Sequence, residues 1–198
     1  MAGKTKQKRS LDRINKILTT AESLLQTGSV ELLTIANISK EAGLKRTSTY
    51  KFFETPDDIK LALIQRFLGN CNQVLKDDLE VRAEADYSNC LKDCINIIIK
   101  FFKDNPGAQK LILESHMIPP TPSSDLHKIA ETIFKHMEES IGLPNMFNKA
   151  GVFLVVGQII FSILSLNIKE NGELTDVGLN EALRATNSYL LSCIALPT

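Results

Sequence analysis

The chain has no tryptophan, and three tyrosines with nine phenylalanines make up only 6% of its 198 residues. So little aromatic surface argues against a large cage of stacked rings for a cationic ligand. Cysteine is also scarce: Cys71, Cys90, Cys94 and Cys193 form no CxxC pair, which excludes a disulfide framework for a chain this long. Cys90 and Cys94 lie one helical turn apart and could share a metal. Only His116, His127 and His136 are available to join them, at no recognised ligand spacing, so buried free thiols are the simpler reading. There is no glycine-rich phosphate loop, no HExxH, no serine elbow and no paired carboxylates with a convergent histidine. Catalysis and a resident cofactor therefore find no support, and the expectation is a non-enzyme. The first thirteen residues are basic and polar, with none of the apolar run that a secretory signal needs, so a cytoplasmic location is expected.

Net charge is missing too, with 23 Lys and Arg against 23 Asp and Glu. Its distribution is uneven. Residues 1–66 carry twelve basic against seven acidic side chains, while residues 67–198 carry eleven against sixteen. A head of +5 on a body of −5 points to a nucleic acid or anionic surface as partner for the head alone.

One long stretch, residues 151–168, contains no charge at all and reaches the lower length limit for a membrane span. Gln158, Ser162, Ser165 and Asn167 interrupt it, Gly151 and Gly157 weaken it, and no basic cluster or aromatic belt flanks it. It reads better as a helix buried on several sides, in its own core and against a second subunit, with no membrane partner.

The helical period dominates elsewhere. Ile14, Ile17, Leu18, Ala21, Leu24 and Leu25 share one face of a helix over roughly residues 10–27. Thr34 can cap a second helix over residues 35–42, and Gly43 stops it. A third segment covers residues 45–53. Thr55-Pro56-Asp57-Asp58 is a strong helix start, with a capping hydroxyl, a proline at the first position and two acids at the positive end of the dipole. Further helices are expected over about 90–102, 108–116, 123–141, 146–169 and 175–195. No segment alternates with the period of a strand. The fold class is all-α with about nine helices: a three-helix head, residues 1–55, and a larger helical body, residues 56–198.

Residues 34–53, TIANISKEAGLKRTSTYKFF, carry the chemistry. Two short helices joined by a glycine turn make a helix-turn-helix, whose second helix is narrow enough for the major groove. Lys45, Arg46 and Lys51 supply cations, Thr47, Ser48 and Thr49 short hydroxyls, and Tyr50 a phenol that can reach a phosphate oxygen. Leu44 and Phe53 read as the inward anchors.

Residues 10–67 resemble the amino-terminal domain of TetR-family transcriptional regulators. The resemblance lies in the I-L-x-x-A-x-x-L rhythm of Ile17 to Leu24, in the T-I-x-x-I-S-x-x-A-G-L segment from Thr34 to Leu44, and in the run through Tyr50, Phe53 and Asp57-Asp58-Ile59. It implies that Arg46, Thr47 and Lys51 face base edges, and that Thr34, Ser48 and Tyr50 hold phosphates, with Lys45 adding charge beside them. Lys4, Lys6, Lys8 and Arg9 form a basic arm over residues 1–9, either a DNA contact or a solubilising tail. It further implies a homodimer, in which the last two helices form a four-helix bundle with their mates, acting on double-stranded DNA at a near-palindromic operator. A small-molecule effector would release this repressor through a pocket in the body, with Phe101, Phe102, Leu113, His116, Met117, Phe134 and Phe153 as candidate lining. Two positions depart from the family pattern: Thr49 stands where an apolar contact is usual, and Pro56 where a phosphate-binding lysine is frequent. They motivate the alternative, a dimeric helical interaction protein of the same fold without specific operator binding.

Overall fold

The computed structural model describes residues 2–81, 86–114 and 123–195, and among these every regular element is helical. The first helix, α1 (Ala2–Thr27), starts well before the expected boundary, so Lys8 and Arg9 lie on a helix rather than on an extended arm; both are exposed. The side chains of Lys4 and Lys6 fall outside the described residues. Ile17, Leu18, Ala21 and Leu25 of α1 are buried, and Ile14 and Leu24 half-buried, so the apolar stripe faces inward as its spacing requires. A 3-10 turn (Val30–Leu32) leads to α2 (Ile35–Glu41), capped by Thr34, whose hydroxyl accepts from the amide of Asn37 at 3.1 Å. At Gly43 the backbone takes φ of +61°, a left-handed conformation that a side chain disfavours, and the amide of Leu44 closes the turn onto the carbonyl of Ser39 at 2.8 Å.

The third helix, α3 (Arg46–Thr49), is shorter than the sequence suggests; residues 50–52 continue as turns, with the Tyr50 amide donating to the Arg46 carbonyl and those of Phe52 and Phe53 to the Thr49 carbonyl. α4 (Pro56–Asp78) begins with a complete capping box. The Thr55 amide donates to the Asp58 carboxylate at 2.8 Å, the Asp58 amide donates to the Thr55 hydroxyl at 3.2 Å, and Pro56 occupies the first turn. Arg66 ties α4 back to α1, donating to Asn15 at 3.1 Å and Thr19 at 3.4 Å, with Glu22 3.7 Å away.

The body continues with α5 (Tyr87–Asp104), a single turn α6 (Pro106–Ala108) running into a π-helical turn (Gln109–Glu114), then α7 (Ser123–Ile141), α8 (Lys149–Asn171) and α9 (Asp176–Ala195). α8 packs on α7, α9 and the π-helical turn, and α9 also packs on α5. The apolar residues of head and body form one continuous core, from Ile17, Ile38 and Phe53 through Phe67 to Phe102, Phe153 and Leu190.

The uncharged run becomes intelligible here. By length and hydropathy α8 could cross a membrane, but half of its most apolar window is buried within this chain. Its polar interruptions have assigned partners. Ser165 donates to the carbonyl of Leu113 at 2.6 Å, while Asn167 accepts from the Thr175 amide and donates to the Thr175 hydroxyl, both at 2.9 Å, locking the turn between α8 and α9. Each bond satisfies a polar group that burial would otherwise strand. Cys90 and Cys94 are buried in the core, where desolvation raises the Cys94 thiol far above its usual range; burial likewise pushes Cys71 up to about 12. These thiols are packing groups rather than nucleophiles.

Candidate nucleic-acid interface and ligand cavities

A helix of four residues has little stability of its own, so α3 must be held by what lies beneath it. Phe53 is buried and Leu44 half-buried at its two ends, as their inward role requires. Between them Thr49 is wholly buried, and its hydroxyl shares a 2.8 Å hydrogen bond with Ser39 of α2. The departure at Thr49 is thus a polar latch across the helix-turn-helix. The serine that completes it sits ten residues upstream, a pairing that periodicity alone does not reveal.

With one side latched inward, the opposite side is free. Lys45, Arg46, Thr47, Tyr50 and Lys51 are exposed, Tyr50 by 53%, and Ser48 is half-buried. None of Lys45, Arg46 and Lys51 makes an ion pair with a described residue, so their charge is available to an outside anion. Thr34 is half-buried at the start of α2, its hydroxyl oxygen occupied as acceptor in the cap. Six of the seven sequence-predicted residues therefore lie on α3 and its flanks, while the seventh, Thr34, caps the start of α2. Such a surface can meet a phosphate backbone with its cations and hydroxyls and base edges with Arg46.

The candidate pocket lining fares differently. Phe101, Phe102, Leu113 and Phe153 are buried in the packed core, with Phe101 edge-on to Phe102 at 5.4 Å and the half-buried Phe134 tilted 5.3 Å from Phe153. None of these borders either of two cavities found in the body. His116 and Met117 lie outside the described residues. These rings contact one another in the core, and the two cavities have other linings among the described residues. Apolar spacing cannot separate a core face from a cavity wall, because both demand the same residues.

One cavity, of about 340 Å³, lies between α4 and α7 and is lined by charge: Lys76, Lys128, Lys135, His136, Glu131 and Glu139. Lys135 is paired with Glu131 at 2.7 Å and Lys128 with Asp125 at 2.9 Å, so much of that charge is already answered. The other, of about 460 Å³, lies between α4, the π-helical turn, α7 and α8. Leu68, Ile112, Leu126 and Phe161 form its apolar wall, and Gln158, Ser162 and Ser165 its polar one. Only the polar breaks in the uncharged run hinted at it from the sequence.

A helix-turn-helix at the amino end of an all-α chain with a large helical body defines the fold. That fold is shared with solved structures of TetR-family transcriptional regulators. A TetR-family regulator from Streptomyces coelicolor superimposes with a TM-score of 0.68 over 91% of this chain and 99% of its own, at 18% identity. FadR of Thermus thermophilus, a TetR-family repressor in complex with lauroyl-CoA, gives 0.63 over 93% and 96%, at 15% identity. Among curated proteins the chain is similar to the HTH-type transcriptional regulator EthR of Mycobacterium tuberculosis, 24% identical over 124 residues. That match takes in 63% of this chain and spans little more than half, 56%, of EthR. No protein-family model matches the chain.

Proposed function

We propose that this chain is a TetR-family transcriptional regulator, a homodimeric repressor that binds a near-palindromic operator in the cytoplasm and is released by a small-molecule effector. The observation that carries the reading is the exposed face of α3, where Lys45, Arg46 and Lys51 stand without ion-pair partners among the described residues, beside Thr47, Ser48 and Tyr50. Arg46, Thr47 and Lys51 read base edges, Arg46 by a bidentate contact to guanine; Thr34, Ser48 and Tyr50 hold phosphates and Lys45 adds charge. Residues 1–55 are the DNA-binding unit and residues 56–198 the effector-binding and dimerisation unit. A single short recognition helix specifies few base pairs, so two heads related by a twofold axis are required.

The pairing surface is the outer face of α8 and α9. Val155 and Leu166 of α8 and Val177 and Leu191 of α9 are exposed, Leu166 by 59% and Val177 by 65%, and a second copy that covered them would complete a four-helix bundle. The negative body would also turn away from the duplex, leaving the positive heads toward it.

Selection of bound fragments from random double-stranded DNA tests the reading. Enrichment of an inverted repeat, with affinity falling steeply as salt rises, is the expected result. Absence of any sequence preference over competitor DNA at near-physiological salt overturns it and leaves the helical interaction protein without operator binding. Sedimentation supplies the second check, since a monomer at micromolar concentration contradicts the paired bundle.

A further inference from the structure

We infer that the uncharged cavity beside the π-helical turn takes a neutral amphiphile, an alkyl or alicyclic body bearing a hydroxyl, carbonyl or amide, and that its occupation is relayed to α1 through Lys110. The relay rests on the regulatory reading above; the ligand class stands on the cavity itself.

The class follows from the wall. At about 460 Å³ the cavity is within the size range of small-molecule sites, which is about 300–1,000 Å³. Among the described residues that line it, none is ionisable. A charged ligand group would find no counter-charge among these side chains, so whatever hydration it gave up on entry would go uncompensated. The amide of Gln158 and the hydroxyl of Ser162 can instead donate to or accept from a neutral polar group, Ser165, whose proton goes to the Leu113 carbonyl, can accept, and Leu68, Leu126 and Phe161 shelter the rest.

The relay follows from what else the π-helical turn holds. Such wide turns are rare and strained, and tend to occur where a helix has work other than packing. Ile112 of this turn borders the cavity, and the carbonyl of Leu113 next to it is held by Ser165 of α8. Two residues before Ile112, the half-buried Lys110 reaches the other way. Its ammonium donates to the carbonyls of Leu25 at 3.0 Å and Gly28 at 2.8 Å, at the carboxy end of α1. That end has open carbonyls and a negative dipole, and α1 carries no basic residue in its last turn; Lys110 supplies the missing cation from across the fold. Gly107 lets the backbone come close enough, since a Cβ there would lie 3.1 Å from the Cβ of Leu25. One six-residue turn therefore touches the ligand cavity and the helix on which α2 rests. A ligand that displaces Ile112 moves Lys110 with it, loosens the cap on α1 and changes the seating of the head.

Hydrogen exchange on the full chain with octan-1-ol, and with octanoate as its charged counterpart, tests both parts without DNA. Octan-1-ol is expected to protect residues 158–165 and to speed exchange severalfold over residues 25–29, while octanoate binds at least tenfold more weakly. The variant Lys110→Met should exchange rapidly over residues 25–29 from the outset, bind octan-1-ol within twofold of the native affinity, and show no further change there. Equal or tighter binding of octanoate, or no binding of octan-1-ol, overturns the ligand class. Protection at residues 158–165 with unaltered exchange at 25–29 in the native chain overturns the relay, whether or not the variant folds. Failure of the regulatory reading shows itself separately, as absence of operator selection with these exchange results intact.

Discussion

The head and the body solve the problem of burial by different means. The body uses long helices, and α8 is so apolar that hydrophobic burial alone suffices to hold it; its polar atoms are few and each of Ser165 and Asn167 has a defined partner. The head has one long helix and two short ones, and it must keep one side of α3 polar and cationic. It cannot wrap that helix in apolar contacts without covering the surface that would meet DNA. It anchors both ends, through Leu44 and Phe53, and pins the middle with a hydrogen bond between Ser39 and Thr49. The body therefore tolerates exposed apolar side chains such as Leu166 and Val177, whereas the head depends on directional contacts for orientation.

The largest effect is expected where the body relies on volume. Phe153 is wholly buried against Phe134, and Phe153→Ala leaves a cavity that should lower stability by about 3–5 kcal/mol, read from urea unfolding. Chain that remains folded should bind DNA as before. A selective loss of DNA affinity at unchanged stability would instead assign this ring to a functional pocket, against its position in the core.

The head should respond to polarity rather than size. Thr49→Val keeps the shape but strands the Ser39 hydroxyl, at a cost of about 1–3 kcal/mol. Adding Ser39→Ala removes the stranded group, so the double variant should recover part of the loss. A double-mutant cycle with no coupling between the two substitutions would remove the latch from this account and make α3 a passive passenger on its anchors.

Outward residues of the same helix should divide by role. Arg46→Ala is expected to cost about 1–3 kcal/mol at one base pair of each half-site and to relax preference there. Tyr50→Phe should weaken binding to every sequence about equally, and by less. Identical specificity profiles for the two variants would break the division between base and phosphate contacts.

Much of this was legible in the sequence for a simple reason. Helix periodicity records which side of an element is covered, so local spacing alone places the inward face of α1, the cap at Thr34 and the start at Thr55-Pro56. The helix-turn-helix was legible because its glycine, its anchors and its cations stand at fixed local spacings. Pairings between distant elements leave no such trace. Nothing near Lys110 announces that it caps α1 some eighty residues earlier, and nothing near Thr49 names Ser39. A packed ring and a pocket wall look alike in sequence, and one of the two cavities is bordered by serines and a glutamine that interrupt an apolar helix. Likewise α1 runs back to Ala2 although no apolar stripe continues there, for a long helix can extend on propensity beyond the residues it buries.

The smallest effect concerns the joint between the two regions. The backbone amide and hydroxyl of Thr55 both bond toward Asp58, and they hold its carboxyl below the ordinary value of 3.8. A depressed pKa means that the folded chain favours the ionised form more than the unfolded chain does. The contribution is therefore complete above about pH 5, where both states are ionised, and it is lost as pH falls through 3.8 and below. Asp58→Asn retains an acceptor but no charge, so the native chain should exceed the variant in urea midpoint by a constant margin at neutral pH, and the margin should shrink as the solution becomes acidic. The carboxyl is fully exposed, so solvent screening keeps that margin small. Its pH dependence decides the matter: a margin that stays flat down to pH 3 would mean that the box holds α4 by geometry alone, and that the charge at the joint contributes nothing to how the head is set on the body.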